Sequence, residues 1–172
     1  MQIRKFIENQ DLAKTMLKDL ELIQNSTVDF DEIYIDRATN QKWEKYDFEF
    51  LDQITNGIGL RIYPYPTVKT IIEISINSIY LDEVAGASAL LFEKDRLGEN
   101  VREELILKLT KNLNKVSKEH FEIIYWRTEF YSNTNERDTM NKKYSEVQED
   151  YDFYIQTANR MKKLRKKVNS IL

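Results

Sequence analysis

The stretch from Thr67 to Val116, TVKTIIEISINSIYLDEVAGASALLFEKDRLGENVREELILKLTKNLNKV, does most to limit what this chain can fold into. Its apolar residues recur at helical spacing. Val84, Ala87, Leu91 and Phe92 share one face with Ser88 among them, and Val101, Leu105, Leu109 and Leu113 share another with Ile106 beside them. Gly98 lies between the two runs and suits a reversal. Asp82 is placed to cap the first helix, and Asn100 with Glu103 has the spacing of a capping box before the second. The pattern predicts helix, short turn, helix. Upstream, Thr67 is placed to cap a helix beginning at Val68. Ile71, Ile72, Ile74, Ile76 and Ile79 surround that helix, which predicts a buried position. Glu73 is assigned to its one exposed edge, the alternative being a buried carboxylate with a raised pKa. The run from Ala85 to Ala89 is small throughout. A glycine inside a helix costs about 1 kcal/mol relative to alanine, so Gly86 predicts that a neighbouring backbone comes close.

The rest of the chain is read around this helical body, taken as residues 67–131. Residues 1–25 read as helix, with Ile3, Phe6 and Ile7 on one face, then Leu12, Met16, Leu20 and Ile23, and a break near Asn9 to Asp11. Residues 26–31 read as a loop. Ile33 and Ile35 alternate with polar neighbours, as does Trp43, and Asp36 to Gln41 supplies turn residues. This predicts a β-hairpin near residues 32–48. Gly57 and Gly59 are assigned to a turn, because no third glycine and no helix start follow them as a dinucleotide loop requires. Pro64 and Pro66 mark an extended link. Ser117 is placed to cap a helix over residues 118–131; a strand is the alternative, since EIIYWRTEFY is rich in β-formers. A long C-terminal helix is expected over about residues 138–169. Met140, Tyr144, Val147, Tyr151, Tyr154, Ala158 and Met161 alternate there by four and three, as in a heptad seam. Packing of that seam against the body is expected, and a homodimer through it is the alternative.

Composition narrows the class. Four glycines and two prolines in 172 residues argue against a sandwich of many short strands and for long helices. That length fits one domain, residues 1–172, mainly α: a multi-helix bundle or helical stack carrying a small hairpin. There is no cysteine, which excludes disulfides and thiolate chemistry. MQIRKFIENQ lacks the apolar core of a signal peptide, and no apolar run approaches the roughly 20 residues of a membrane helix, so a cytoplasmic protein is expected. The net charge of −3 provides no strong electrostatic attraction for nucleic acid.

Candidate chemistry is sparse. His120 is the sole histidine, so a zinc site would have to be mostly carboxylate, which is rare. The acidic pairs Asp29/Asp31, Asp82/Glu83, Glu103/Glu104 and Asp150/Asp152 are too abundant to single one out, and neighbours on a helix point apart. Arg160 to Lys167 is basic and Glu146 to Asp152 acidic, as the helix macrodipole favours; a basic clamp for RNA or an acidic partner is the alternative. Tyr63, Tyr65, Tyr80, Tyr125 and Trp126 are candidates for a contact face, because such side chains anchor interfaces. No catalytic residue, metal ligand or cofactor is assigned.

Two resemblances add to this. Leu81–Phe92 (LDEVAGASALLF) followed by Arg102–Leu105 (REEL) looks like a HEAT-type helical hairpin. The whole chain, with Asp36–Tyr46 (DRATNQKWEKY) leading into a helical body, resembles small bacterial immunity proteins that neutralise cognate toxins. That second resemblance implies a non-enzymatic inhibitor. An acidic, aromatic surface, here Tyr63, Tyr65, Tyr80, Asp82, Glu83 and Trp126, would cover a basic toxin site. Two other readings stay open: a helical scaffold or nucleic-acid adaptor using the basic C-terminal helix, and a carboxylate-based enzyme.

Overall fold

The computed structural model describes residues 4–25, 32–49, 56–134 and 140–171. The expected loop at 26–31, with Asp29 and Asp31, lies outside them. The expected hairpin is present, as β3 (Glu32–Asp36) and β4 (Gln41–Glu49). Its turn is closed by Asp36, whose carboxylate accepts from the Ala38 amide at 2.9 Å and the Thr39 hydroxyl at 2.7 Å, while Asn40 takes the left-handed conformation. The hairpin is not a small appendage, however. It is the centre of a five-stranded antiparallel sheet in the order β1-β5-β4-β3-β2, completed by β1 (Phe6–Ile7), β2 (Glu21–Asn25) and β5 (Asn56–Tyr63). The molecule is therefore α/β rather than mainly α.

Two sequence expectations give way here. Residues 1–25 are not continuous helix: among those described, 4–25, only α1 (Gln10–Asp19) is helical, started by Asn9, whose side chain accepts from the Leu12 amide at 3.0 Å. Gly57 and Gly59 are not turn residues but stand inside β5, opposite Phe48 and Tyr46 of β4. A Cβ on Gly57 would lie 2.5 Å from the Phe48 ring, and one on Gly59 would lie 2.7 Å from the Tyr46 ring. The glycines are open ground over which the two cross-strand rings lie.

Strand alternation gives the sheet two unlike faces. Trp43, Leu60 and Ile62, with Ile7 of β1, form one face, and α1 covers it with Leu12, Ala13, Met16, Leu17 and Leu20. Phe6, Glu44, Tyr46, Phe48 and Arg61 share the other face, which turns towards the helical body. The two residues of β1 thus enter two separate cores, Phe6 the large one and Ile7 the small one.

The body is built from α2 (Val68–Asn77), α3 (Leu81–Arg96), α4 (Val101–Asn112), α5 (Lys118–Thr128) and α6 (Tyr144–Ile171). Thr67 and Ser117 cap α2 and α5 as expected, accepting from the Thr70 and His120 amides. Gly98 makes the reversal at φ 89°. The other two caps differ from expectation. Tyr80 and Asn100 occupy the cap positions of α3 and α4 without side-chain bonds to the helix. Asp82 sits inside the first turn and takes the Asn9 amide at 3.1 Å instead. Glu103 is drawn off by Arg160 at 2.5 Å.

α3 is the hub, packed against α2, α4, α5 and β1. Gly86 does meet a close approach, but of side chains rather than of the backbone expected: a Cβ there would lie 2.9 Å from Phe6 Cβ and 2.9 Å from the Tyr46 hydroxyl. α2 is buried through Ile71, Ile72, Ser75 and Ile76. α6 packs on α4 and α5 with Tyr154, Ala158, Met161, Leu164 and Val168. The seam expected from Met140 onward divides. Met140 lies in a turn before the helix, Tyr144 and Tyr151 are exposed, and only from Tyr154 does the stripe enter the core. Among the described residues, no helix is long and apolar enough to cross a membrane.

Candidate functional site

Charged side chains that the sequence would assign to the surface meet between the sheet and α3 and α5. Arg61 on β5 is paired across the ladder with Glu44 on β4, and its guanidinium donates to that carboxylate at 2.7 Å. It also donates to Glu93 of α3 at 2.8 and 2.7 Å. The same guanidinium lies over the Tyr46 and Tyr65 rings, 4.8 and 5.0 Å from their centroids. The Tyr65 hydroxyl donates to Glu44. Burial alone would push Arg61 towards the neutral form, but Glu44 and Glu93 outweigh it and hold the charge. Burial, reinforced by the Glu44 bond, raises the Tyr65 phenol.

A second knot lies beside the first. Glu8, 6% exposed, accepts from the Tyr46 hydroxyl at 3.0 Å and from Arg127 of α5 at 2.5 Å. Burial pushes its carboxyl up to about 7, against the attraction of Arg127, which lowers it. Burial likewise raises the Tyr46 phenol. Arg127 lies over the Phe48 ring at 5.4 Å. Arg4 completes the line towards the start of α3, bonded to Asp82 and lying 4.4 Å from the Tyr80 ring centroid.

Above the two knots a cleft of about 610 Å³ opens between β4 and the ends of α3 and α5. Its walls are Tyr46 and Phe48 from the sheet, Phe92, Glu93 and Arg96 from α3, and Trp126 and Arg127 from α5. Trp126 stands on the rim, 41% exposed. It packs edge-on against Tyr125 at 5.4 Å and Tyr131 at 5.2 Å, while Tyr125 stacks on Tyr131 at 4.7 Å. Arg165 of α6 lies over the Tyr125 and Trp126 rings at 4.5 and 4.9 Å and is held by Glu122 through two bonds of 2.8 and 2.7 Å. The Trp126 indole also donates to Glu122 at 3.2 Å. Each bond limits the freedom of the ring.

The residues assigned to a contact face from the sequence fall in three places. Tyr63 and Tyr65 are exposed and pack edge to face at 5.8 Å where β5 ends. Tyr80 and Asp82 are half-buried at the start of α3, engaged with Arg4. Trp126 stands at the cleft. Glu83 does not belong with them. It is 4% exposed and accepts from the Lys5 amide and the Ser78 hydroxyl, both at 2.6 Å, so its carboxylate faces inward as a tether for β1.

The remaining candidates are engaged in the framework. Glu73 binds Lys108 and Asn77, and the Lys108 ammonium holds its carboxyl below the usual range, contrary to the alternative of a raised pKa. The His120 ring bonds the Ser117 hydroxyl and the Ser78 carbonyl, both at 2.7 Å, tying α5 to the end of α2. Among the described residues, no group of three or more His, Cys, Asp or Glu side chains is arranged to hold a metal ion. The fold and the cleft define an α/β protein with an aromatic, arginine-bearing recess. No protein-family model matches the chain, and neither a curated protein nor a solved structure shows significant similarity to it.

Proposed function

We propose that this chain is a non-enzymatic protein-binding module, and that it acts in the cytoplasm as an immunity- or antitoxin-type inhibitor that covers a surface of a toxin. One observation carries the reading: Trp126 is held on the rim of the cleft by Tyr131, Arg165 and Glu122. Interface energy concentrates in Trp, Tyr and Arg side chains that meet a partner in a well-packed recess. A ring already fixed in place has less freedom to lose on binding. Phe92 and Arg96 line the same cleft and would offer a partner further aromatic and arginine contacts.

The two other readings have less support. A nucleic-acid adaptor would use the basic end of α6, but Arg160 and Arg165 are engaged by Glu103 and Glu122. A carboxylate enzyme would need acids free to act in a cleft; Glu73 and Glu83 do line one pocket of about 270 Å³, but Glu73 is held by Lys108 and Asn77, and Glu83 by the Ser78 hydroxyl and the Lys5 amide.

The test is to co-express the chain with a toxin domain encoded beside it and to measure binding of the purified pair. Growth should be rescued, and Trp126→Ala should weaken the complex about thirtyfold, a hot-spot loss of roughly 2 kcal/mol. Circular dichroism should show that the variant stays folded. Full affinity in a folded Trp126→Ala variant, or no complex at all, would sink the proposal.

A further inference from the structure

We infer that the first turns of α6 form a docking face for a basic amphipathic helix of another protein. The inference adds a second surface and does not depend on the cleft. α6 has 28 residues, about 42 Å at the usual helical rise, and the body occupies its length only from Tyr154 onward. Before that point the same stripe continues through Tyr151, Val147 and Tyr144. Tyr144 is 83% exposed, Tyr151 is 48% exposed and Val147 is half-buried. Two turns of helix therefore present an apolar, aromatic line that nothing among the described residues fully covers.

The surrounding charge selects the occupant. Between Tyr144 and Asn159 there are four carboxylates, Glu146, Glu149, Asp150 and Asp152, and no cation. At about 100° per residue, Asp150 and Asp152 border the stripe on opposite sides. Lys142 answers Asp150 at 2.6 Å, and Gln148 donates to Asp152 at 3.1 Å. A second copy pairing through the same face would bring its own Asp150 and Asp152 against these, and like charges across a helix pair repel. A helix with apolar residues at three- and four-residue intervals and flanking lysines or arginines satisfies both stripe and charge.

The experiment titrates the full chain into a fluorescein-labelled synthetic helix with leucines on one face and lysines on the other. Saturable binding is expected. It should weaken at least tenfold in Asp152→Lys, and by a similar factor in Tyr144→Ser/Tyr151→Ser, while Trp126→Ala leaves it unchanged. These helix positions face solvent, and circular dichroism verifies that each variant is folded. Binding that survives loss of both tyrosines would mean charge attraction alone and overturn the inference. Equal binding of a peptide with glutamates in place of the lysines would also overturn it. So would concentration-dependent self-association that disappears in the tyrosine variant, which would make a second copy the occupant.

Discussion

Glu8 is a carboxyl whose environment favours the proton, and this has a consequence for stability. Unfolded, it titrates near the ordinary 4.5 of a glutamate; folded, burial pushes it up to about 7. Between those values the folded state binds the proton more tightly. The contribution to stability is therefore full below pH 4.5 and is lost as pH rises through about 7. Its size is about 3 kcal/mol at most. Urea melts from pH 4.5 to 7.5 should show a decline, and Glu8→Gln should flatten it, since an amide can still meet Tyr46 and Arg127. A second prediction concerns Arg102. It is 2% exposed, donates to Asp95 at 2.8 Å and lies 3.8 Å from the Tyr154 ring centroid. Arg102→Ala removes the buried guanidinium that pairs with Asp95 in the core, and melts should show a loss of roughly 3–5 kcal/mol. Neither site was legible beforehand. A lone Glu8 or Arg102 reads as solvated surface, and only long-range pairing reveals that it is not. Glu83 misled for the same reason: its neighbour Asp82 reaches outward while its own side chain turns in to Ser78.

The helices from Val68 to Thr128 were legible because their periodicity is local and their caps at Thr67 and Ser117 stand at the ends of apolar runs. The hairpin was legible from its alternation and its Asp36 turn. The strands that complete the sheet were not. β1 has two residues, too few for any period to show, and β2 carries a register shift between Leu22 and Gln24 that breaks alternation. β5 was hidden by its glycines, whose reason is Tyr46 and Phe48 on a neighbouring strand. Gly59→Val should therefore destabilise by about 1–3 kcal/mol, as overpacking does, and Tyr46→Ala should relieve the clash, so that the double variant loses less than the sum of the two single ones. At α6 the contrast between halves gives another expectation. Backbone amides of residues 146–152 should exchange with deuterium well before those of residues 157–168, because only the second group is packed on α4 and α5.

Sheet and helical body share one ionic layer, with Arg61, Arg127 and Arg4 each bonded to a carboxylate contributed by a distant part of the chain. Such stitching predicts that the two parts unfold together. The tryptophans report on it separately, since Trp43 lies under α1 and Trp126 stands on the helical body. In Trp126→Phe, emission from Trp43 should follow the same denaturant midpoint as the loss of helix by circular dichroism; separated midpoints would mean two independent units. At this scale the sequence disclosed the helical half and the hairpin but not how they join, because every joining contact spans a long separation along the chain. The strand Phe6–Ile7 carries this to its limit. It pairs with Leu60 and Arg61 of β5, rests Ile7 against α1, and sets Phe6 beside Gly86 of α3. Since β1 precedes α3 in the chain, a ribosome releases it first, and it must wait for α3 to emerge before it finds its place.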